Sequence, residues 1–298
     1  MSHALTIEST AFDTAMVRIE ARRFLRHPLF VVGALTAYVV TVLVAMIGPM
    51  PSDVLAWTVI PAFFIGLPSL IAASRLTRSA DAAAEAVTTA PSTEAERTLA
   101  LAGACVVPFA AGVLWIVELF LALWAVGSPH PNELWFGTLD DVQVWAILVA
   151  GAPVGCLGGA LLGVLTGRWL RFPGSGVVMA IVVLLVVFVG QIPLSNSTDS
   201  DVQRLRLWVP WAGFHSGSDT DGTATLYSGN AVFYLGYALA LCALAVVGAV
   251  WHDRTARTRR LKTVLFGVIA VAITMLVLAM LTGPDTMISQ PVPFQISG

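Results

Sequence analysis

The chain has 298 residues, of which 57% are apolar and only 11% are charged, and its mean hydropathy is +0.83. These values exclude an ordinary soluble globular protein and predict a membrane protein. The formal net charge is −2, and we expect no nucleic-acid partner.

Seven apolar stretches are long enough to cross a bilayer. A window of about 19 residues, which suits a hydrocarbon core roughly 30 Å thick, finds each of them. They lie near residues 29–48, 54–74, 99–126, 143–167, 176–194, 230–251 and 263–283. Uncharged runs such as VVMAIVVLLVVFVG are too long for core strands. The sequence therefore predicts an all-α polytopic transmembrane helix bundle of about seven spans.

The basic residues predict the orientation, because cytoplasmic flanks carry an excess of Lys and Arg. With the N-terminus inside, 14 of the 16 basic residues fall in inner segments. The outer segments hold only Arg204 and Arg206. An odd number of spans then places the C-terminus outside. No cleavable signal peptide is recognised before the first apolar run, so we expect the N-terminal segment to be retained.

The stretch MVRIEARRFLRHPLF precedes the first span. On a helical wheel one face contains Phe12, Ala15, Met16 and Ile19. A row of arginines beside that face contains Arg18, Arg22 and Arg26. Arg23 falls back onto the apolar face, so the amphipathic pattern is imperfect. Two interpretations remain open: a helix lying in the inner interface, or an ordinary positive-inside flank.

The inner loop at residues 74–102 has its own helical pattern. Its Ala-rich residues 80–88 favour a helix, with Asp81 and Glu85 one turn apart, and Pro91 ends it. Thr93 and Glu96 are spaced as a capping box that begins the next span. A hairpin between two spans needs only a few residues, so the pattern favours a docking surface over a chance helical turn.

These stretches resemble the permeases of ABC transporters of the ABC-2 class, especially actinobacterial ones. MVRIEARRFLRHPLFVVG is similar to their N-terminal elbow. The residues similar to their coupling-helix region are Asp81, Glu85, Pro91, Arg97, Thr98 and Leu99. Gly167, Arg168 and Trp169 resemble the Gly-Arg-Trp that often closes the fourth span. The family pattern usually ends after six spans, whereas this chain has a seventh apolar run.

The resemblance implies an export-type membrane subunit with an elbow helix and a short cytoplasmic coupling helix that a separate ATPase moves. The ATPase-coupling interface would contain Arg22, Arg23, Asp81, Glu85 and Arg97. The expected partners are an ABC ATPase, a second copy of this chain or a homologous permease, and membrane lipids. The expected location is the bacterial cytoplasmic membrane.

The chain itself has no ATP site. A P-loop needs a Gly-Lys-Ser/Thr sequence to hold phosphates, and the single lysine, Lys262, follows Leu261. We therefore expect no enzyme activity, catalytic residue or cofactor here, and ATP with Mg²⁺ on the partner ATPase. The predicted division is an N-terminal segment (1–28), a transmembrane domain (29–283) with coupling loop 75–98 and outer loop 195–229, and an extracytoplasmic tail (284–298).

Two features inside the spans stand out. A glycine recurs every four residues in the fourth span, at Gly151, Gly155, Gly159, Gly163 and Gly167. Such a stripe lets another helix approach closely, and we favour a neighbour in the same chain over a second subunit. Glu118 is the one ionisable residue within the spans, which makes it a candidate for the translocation path. Its place near the outer interface favours a role outside that path.

The outer loop 195–229 carries a candidate cluster that we do not assign to a metal. His215, Asp219 and Asp221 lie in a Gly/Ser-rich stretch without recognisable ligand spacing, so we expect no metal site.

The sequence thus predicts a permease subunit of an ATP-driven exporter that moves a hydrophobic or amphipathic substrate by alternating access. A membrane sensor or assembly subunit is an alternative from another class. An ion-coupled carrier is a weaker one, because no internal repeat is recognised.

Overall fold

The protein is described by a computed structural model that covers residues 14–47, 53–86, 93–126, 140–170, 172–195, 199–216, 223–283 and 288–291. Within these residues, seven helical segments are long and apolar enough to cross a membrane. We number these spans one to seven: Pro28–Met46, Val59–Asp81, Glu94–Ala125, Asp141–Trp169, Ser175–Leu194, Ala231–Val250 and Arg259–Leu281. The predicted all-α, multi-pass membrane fold is confirmed.

The individual helices subdivide some of these spans. They are α1 (Thr14–Leu25), α2 (Pro28–Met46), α3 (Asp53–Ala56), α4 (Val59–Pro61), α5 (Leu67–Ala86), α6 (Glu94–Ala104), α7 (Val106–Ala125), α8 (Asp141–Val149), α9 (Gly155–Trp169), α10 (Ser175–Ser195), α11 (Ser200–Arg204), α12 (Ala231–Val250) and α13 (Arg259–Leu281). A π-helical turn at Ala62–Gly66 joins α4 to α5, and a second at Ala150–Val154 joins α8 to α9. A 3-10 turn, Leu205–Trp208, follows α11.

A small antiparallel sheet adds to the predicted all-α fold. Its strands are β1 (His215–Ser216), β2 (Thr223–Leu226) and β3 (Ile288–Pro291), in the order β1-β2-β3. His215 pairs with Leu226, and Thr225 pairs with Ser289, so the sheet joins the loop between spans five and six to the stretch after span seven. Strands this short carry no recognisable alternation in sequence.

Spans two and four form the centre of the bundle. They are 67% and 72% buried, whereas spans five and seven are only 17% and 11% buried. The glycine stripe of span four lies against span two of the same chain: a Cβ added at Gly159 would clash with the Gly66 carbonyl oxygen, and one at Gly163 would clash with the Leu70 carbonyl oxygen. The backbones of spans two and four therefore lie close together, because the glycines of span four have no side chain between them.

Helix α1 is present, and the face that packs against the rest of the protein is not the apolar face of the wheel. Glu20 and Phe24 are buried, and the ring of Phe24 packs edge-on against Phe30 with centroids 5.3 Å apart. Ile19, assigned by the wheel to the apolar face, is 58% exposed. The carboxylate of Glu20 is paired with Arg23, the arginine that interrupts the apolar face.

The polar helix of the loop is also present in part. Residues 80–86 are helical, as expected, but they continue span two as the end of α5 instead of forming a separate helix. The predicted capping box is confirmed: the Thr93 hydroxyl accepts a hydrogen bond from the Glu96 amide at 3.1 Å, and the Glu96 carboxylate accepts one from the Thr93 amide at 2.7 Å. Pro91 lies outside the described residues.

Candidate functional site

One end of the bundle holds a connected group of charged residues, which we name the charged end: Asp81, Glu94, Arg168, His252 and Asp253. Arg168 lies in the last turn of span four, and its side chain is completely buried. Its Nη1 donates a hydrogen bond to Asp81 at the end of span two, and lies 3.9 Å from Oε1 of Glu94 at the start of span three. Burying a charge is costly unless opposite charges are close, so these carboxylates stabilise the buried guanidinium.

His252 connects the sixth span to the same group. Its Nδ1 lies 2.5 Å from Oε1 of Glu94, the carboxylate oxygen that also faces Arg168. Its ring packs edge-on against Trp169, with centroids 5.4 Å apart, and Trp169 Nε1 donates a hydrogen bond to the Gly248 carbonyl at 2.9 Å. The charged end therefore ties together the ends of four spans.

Asp253 fixes the start of span three from the side. Its Oδ2 accepts a hydrogen bond from the Ala95 amide at 3.1 Å, and its Oδ1 accepts bonds from the Thr255 amide and hydroxyl at 2.8 Å and 2.7 Å. Burial acts to raise the pKa of Asp253, but these hydrogen bonds and one from the Ala256 amide outweigh it and lower the pKa below its usual value. The side chain is thus held as a carboxylate at neutral pH.

Helix α1 is attached to span two beside this group. Nη1 of Arg23 pairs with both carboxylate oxygens of Glu20 at 2.8 Å and 2.9 Å, and its Nη2 donates to the Ser79 hydroxyl at 2.7 Å. Ser79 lies two residues before Asp81, within α5. A displacement of α1 therefore acts on the same helix end that carries Asp81.

The five residues expected at an ATPase interface have different surroundings. Arg22 is exposed in the last turn of α1. Arg23 and Asp81 make the ion pairs within the chain described above, and Arg97 is half-buried in α6. Glu85 lies in α5, but its side chain is outside the described part. Arg23 and Asp81 therefore hold α1 and the end of span two in place, whereas the exposed Arg22 presents its positive charge on the surface of α1.

Sequence reasoning did not connect Arg168 with Asp81, and it missed the roles of Glu94, His252 and Asp253. One signal was available, since an arginine that closes an apolar span needs a carboxylate if it is buried. Asp81 and Glu94 flank the one long inner loop and offered that partner. The sequence did not indicate that span six supplies a histidine and an aspartate to the same group.

Glu118 lies apart from the charged end, in the third span. Its side chain is partly buried, and Oε2 is shielded from solvent without a hydrogen-bond partner among the described residues. One turn earlier, Trp115 Nε1 donates a hydrogen bond to the Thr41 hydroxyl of span one at 2.7 Å. This contact holds spans one and three together near Glu118.

No protein-family model, curated protein or solved structure matches this chain. Within the described ranges, no three His, Cys, Asp or Glu residues are grouped so as to hold a metal ion. The contacts at the charged end join the ends of spans two, three, four and six.

Proposed function

We propose that this chain is the transmembrane permease subunit of an ATP-driven exporter of the ABC-2 type. In this proposal the charged end faces the cytoplasm of a bacterium, the N-terminus is inside, and the C-terminus follows span seven on the outer side. A separate ATPase supplies ATP and Mg²⁺ chemistry. Two copies of this chain, or this chain and a homologous permease, form the membrane channel.

The observation that carries the proposal is the contact between Arg168 and the two carboxylates that flank the inner loop. Asp81 precedes that loop and Glu94 follows it, while Arg168 and His252 end spans four and six. A subunit that pushes on the loop would move four spans together, which is the transmission that an ATP-driven permease requires.

The resemblance of the sequence to ABC-2 permeases supports the same proposal. Asp81 belongs to the stretch that resembles the coupling region, and Arg168 belongs to the Gly-Arg-Trp element. These elements are 87 residues apart, and their side chains meet. Contact between two separately recognised elements favours one shared mechanical role over two chance similarities.

The docking surface would lie along α1 and the loop. Arg18, Arg22 and Arg26 are exposed in one i, i+4 row, so they present positive charge to a partner or to anionic headgroups. ATP-driven closure of two ATPase subunits would press on α1 and α5 and shift the spans between inward-open and outward-open states. The substrate would be hydrophobic or amphipathic.

The test is co-purification of the tagged chain from native membranes in mild detergent, with mass spectrometry and an ATPase assay of the eluate. We expect a stoichiometric P-loop protein. We expect its ATPase activity to be uncoupled from transport by Glu85→Gln and by Arg97→Gln, with expression unchanged. Arg22→Glu should weaken binding of the ATPase by reversing an exposed charge.

The matched control is Asp201→Lys, a charge reversal at an exposed residue at the opposite end of the bundle. It should leave both binding and coupling unchanged. A preparation without any ATPase, under conditions that preserve a known complex, would contradict the proposal and favour a membrane sensor or assembly subunit. Equal loss of binding with Arg22→Glu and Asp201→Lys would show that the docking surface is not on α1.

A further inference from the structure

The end of the bundle opposite the charged end contains a cavity of about 380 Å³. Its walls come from spans two, four and five, from the start of span six and from the outer loop. Six aromatic side chains line it: Phe63, Phe188, Trp211, Phe214, Tyr227 and Tyr234. We name this region the aromatic end. The volume falls within the range of small-molecule sites, about 300 to 1,000 Å³.

The two π-helical turns both border this cavity. Ala62 and Phe63 belong to the turn in span two, and Ala150 and Gly151 belong to the turn in span four. A π turn inserts a residue into a helix and weakens its regular hydrogen bonding, and such turns frequently occur at functional sites. Two irregular turns from different spans that face one cavity indicate a site for a ligand more strongly than either turn alone.

Trp211 forms a wall between this cavity and a second one. Its φ is +62°, in the left-handed region that residues other than glycine rarely adopt. Its Nε1 donates a hydrogen bond to the Gly155 carbonyl at 3.3 Å. A second cavity, of about 320 Å³, lies between spans four, five and six and shares Ala150, Trp211 and Tyr234 with the first. The two cavities are therefore neighbours, and the Trp211 indole belongs to the wall of each.

The exposed side of the first cavity, which we call its mouth, is lined by apolar residues of two spans. Its most exposed lining residues are Val59 and Phe63 of span two and Phe188 and Ile192 of span five, each between 41% and 60% exposed. All four are apolar and lie within membrane-spanning segments. At about 1.5 Å per residue, they lie in the last ~10 Å of their spans at this end. A ligand would therefore enter sideways from one leaflet.

The lining selects against a charged ligand. It contains no Asp, Glu, Lys or Arg among the described residues. Several of its polar groups already bind within the chain: the Thr58 hydroxyl donates to the Leu55 carbonyl, and the Tyr234 hydroxyl donates to the Val209 carbonyl and accepts from the Ala212 amide. Hydrocarbon is the chemistry that these walls accommodate without loss of hydrogen bonds.

We propose that this cavity binds the hydrocarbon chain of a single-chain amphiphile taken from the leaflet at the aromatic end, with the head group left outside the mouth. The apolar mouth, the uncharged lining and the neighbouring apolar cavity on the other side of Trp211 together favour a chain over a compact molecule. This inference goes beyond the proposed function and does not depend on it, because binding is measured on this chain without an ATPase.

The test uses a hexadecanol derivative that carries a photoreactive diazirine at the chain end. The purified full chain, reconstituted in nanodiscs of diacyl phospholipid so that no detergent competes, is irradiated with the probe, and labelled peptides are identified by mass spectrometry. We expect labelling to saturate, to concentrate on peptides that contain Phe63, Phe188 or Trp211, and to be displaced by unlabelled hexadecanol. Naphthalene, a compact aromatic competitor, should displace little of the probe.

A pair of variants in span five provides the control. Val187→Trp fills the cavity with a large side chain, whereas Val189→Trp places the same side chain at a position that does not line the cavity and is 70% exposed. We expect Val187→Trp to lower saturable labelling about tenfold and Val189→Trp to leave it unchanged. Monodisperse elution of both variants shows that each is folded.

Three results would overturn the inference, and the first two need no variant. Labelling spread evenly over all lipid-facing spans, without saturation, would show that the probe only samples the bilayer-facing surface. Displacement by naphthalene but not by hexadecanol would assign the cavity to a compact ligand. Equal labelling of the Val187→Trp and Val189→Trp variants would place the bound chain elsewhere.

Discussion

The two ends of the bundle each bury an arginine, and they do so in opposite ways. Arg168 at the charged end faces the carboxylates of Asp81 and Glu94. Arg206, at the 3-10 turn beyond span five, has no ion pair with Asp or Glu within the described part of the chain; its Cζ lies 4.7 Å from the ring centroid of Tyr227 and 5.5 Å from that of Phe214. One end is cross-linked by ion pairs. At the other end the arginine lies over aromatic rings that line a cavity, and its Nη1 donates hydrogen bonds to the Gln203 and Ser228 carbonyls.

The difference indicates which end can change shape. At the charged end, ion pairs and hydrogen bonds join the ends of spans two, three, four and six, so we expect these four ends to move as a unit. At the aromatic end, two π turns border the cavity, and so does Trp211, whose backbone has a left-handed conformation. Helices that are irregular beside a cavity can be rearranged at lower energetic cost than helices joined by buried charges. We expect the charged end to transmit a displacement and the aromatic end to accommodate it.

The largest expected effect is the loss of Arg168. Arg168→Met leaves two partly buried carboxylates without their cation, and we expect the free energy of unfolding to fall by about 3 kcal/mol. The measurement is denaturant unfolding of the purified chain in detergent. Adding Asp81→Asn should restore part of the loss, because it removes one uncompensated charge. If the double variant is no more stable than Arg168→Met, the ion pair does not hold the charged end together.

The second effect concerns the packing that connects the two ends. An added Cβ at Gly159 would meet the carbonyl oxygen of Gly66 in span two, so Gly159→Ala should separate spans two and four and lower the free energy of unfolding by about 2 kcal/mol. The control is Gly267→Ala in span seven, where an added Cβ meets no atom within 4 Å. The same substitution should be neutral or slightly stabilising there. Equal destabilisation by both variants would show that the close contact between Gly159 and Gly66 does not determine the result.

A third effect tests the arginine at the aromatic end. Burial lowers the pKa of Arg206 to about 10, and the nearby Tyr227 and Tyr234 partly offset that shift, so the side chain is charged at neutral pH. Arg206→Met removes its cation–π contacts but leaves no described carboxylate unpaired. We expect a loss of about 1 to 2 kcal/mol, smaller than that for Arg168→Met, in the same unfolding measurement. A loss as large as that of Arg168→Met would show that the two ends are held equally firmly.

The features that the sequence predicted well are local. Hydropathy windows located seven spans because each span is continuous in sequence, and the spacing of Thr93 and Glu96 was sufficient to identify a capping box. The wheel counted only apolar side chains, so it did not indicate that Glu20 of α1 is buried and paired with Arg23. Arg23 also donates a hydrogen bond to Ser79 of span two.

The features that sequence did not reveal depend on contacts between distant residues. The glycine stripe indicated a close neighbour, and its identity as span two follows from how the helices pack. Arg168 and Asp81 are 87 residues apart, and Asp253 reaches Ala95 across 158 residues. The cavity was equally hidden, because its walls come from four spans and from a loop whose tryptophan has an unusual backbone conformation.

The smallest expected effect follows from the pH dependence of Asp253. Its pKa is lower in the folded chain than in the unfolded chain, where it is about 3.8. The stabilisation from this carboxylate is therefore fully present above pH 3.8 and is lost as the pH falls through the lower, folded pKa. Asp253→Asn should cost about 0.5 to 1 kcal/mol at neutral pH, since an amide accepts the Ala95 hydrogen bond less well than a carboxylate.

The measurement is the free energy of unfolding against pH for the parent chain and for Asp253→Asn. The difference between the two should be constant at neutral pH and should shrink below pH 3.8, because a protonated Asp253 also loses its charge. Exposed Asp201 at the other end, changed to Asn, should show no comparable difference. A gap between the parent chain and Asp253→Asn that stays constant into strong acid would show that Asp253 acts through shape alone and not as a carboxylate that anchors span three.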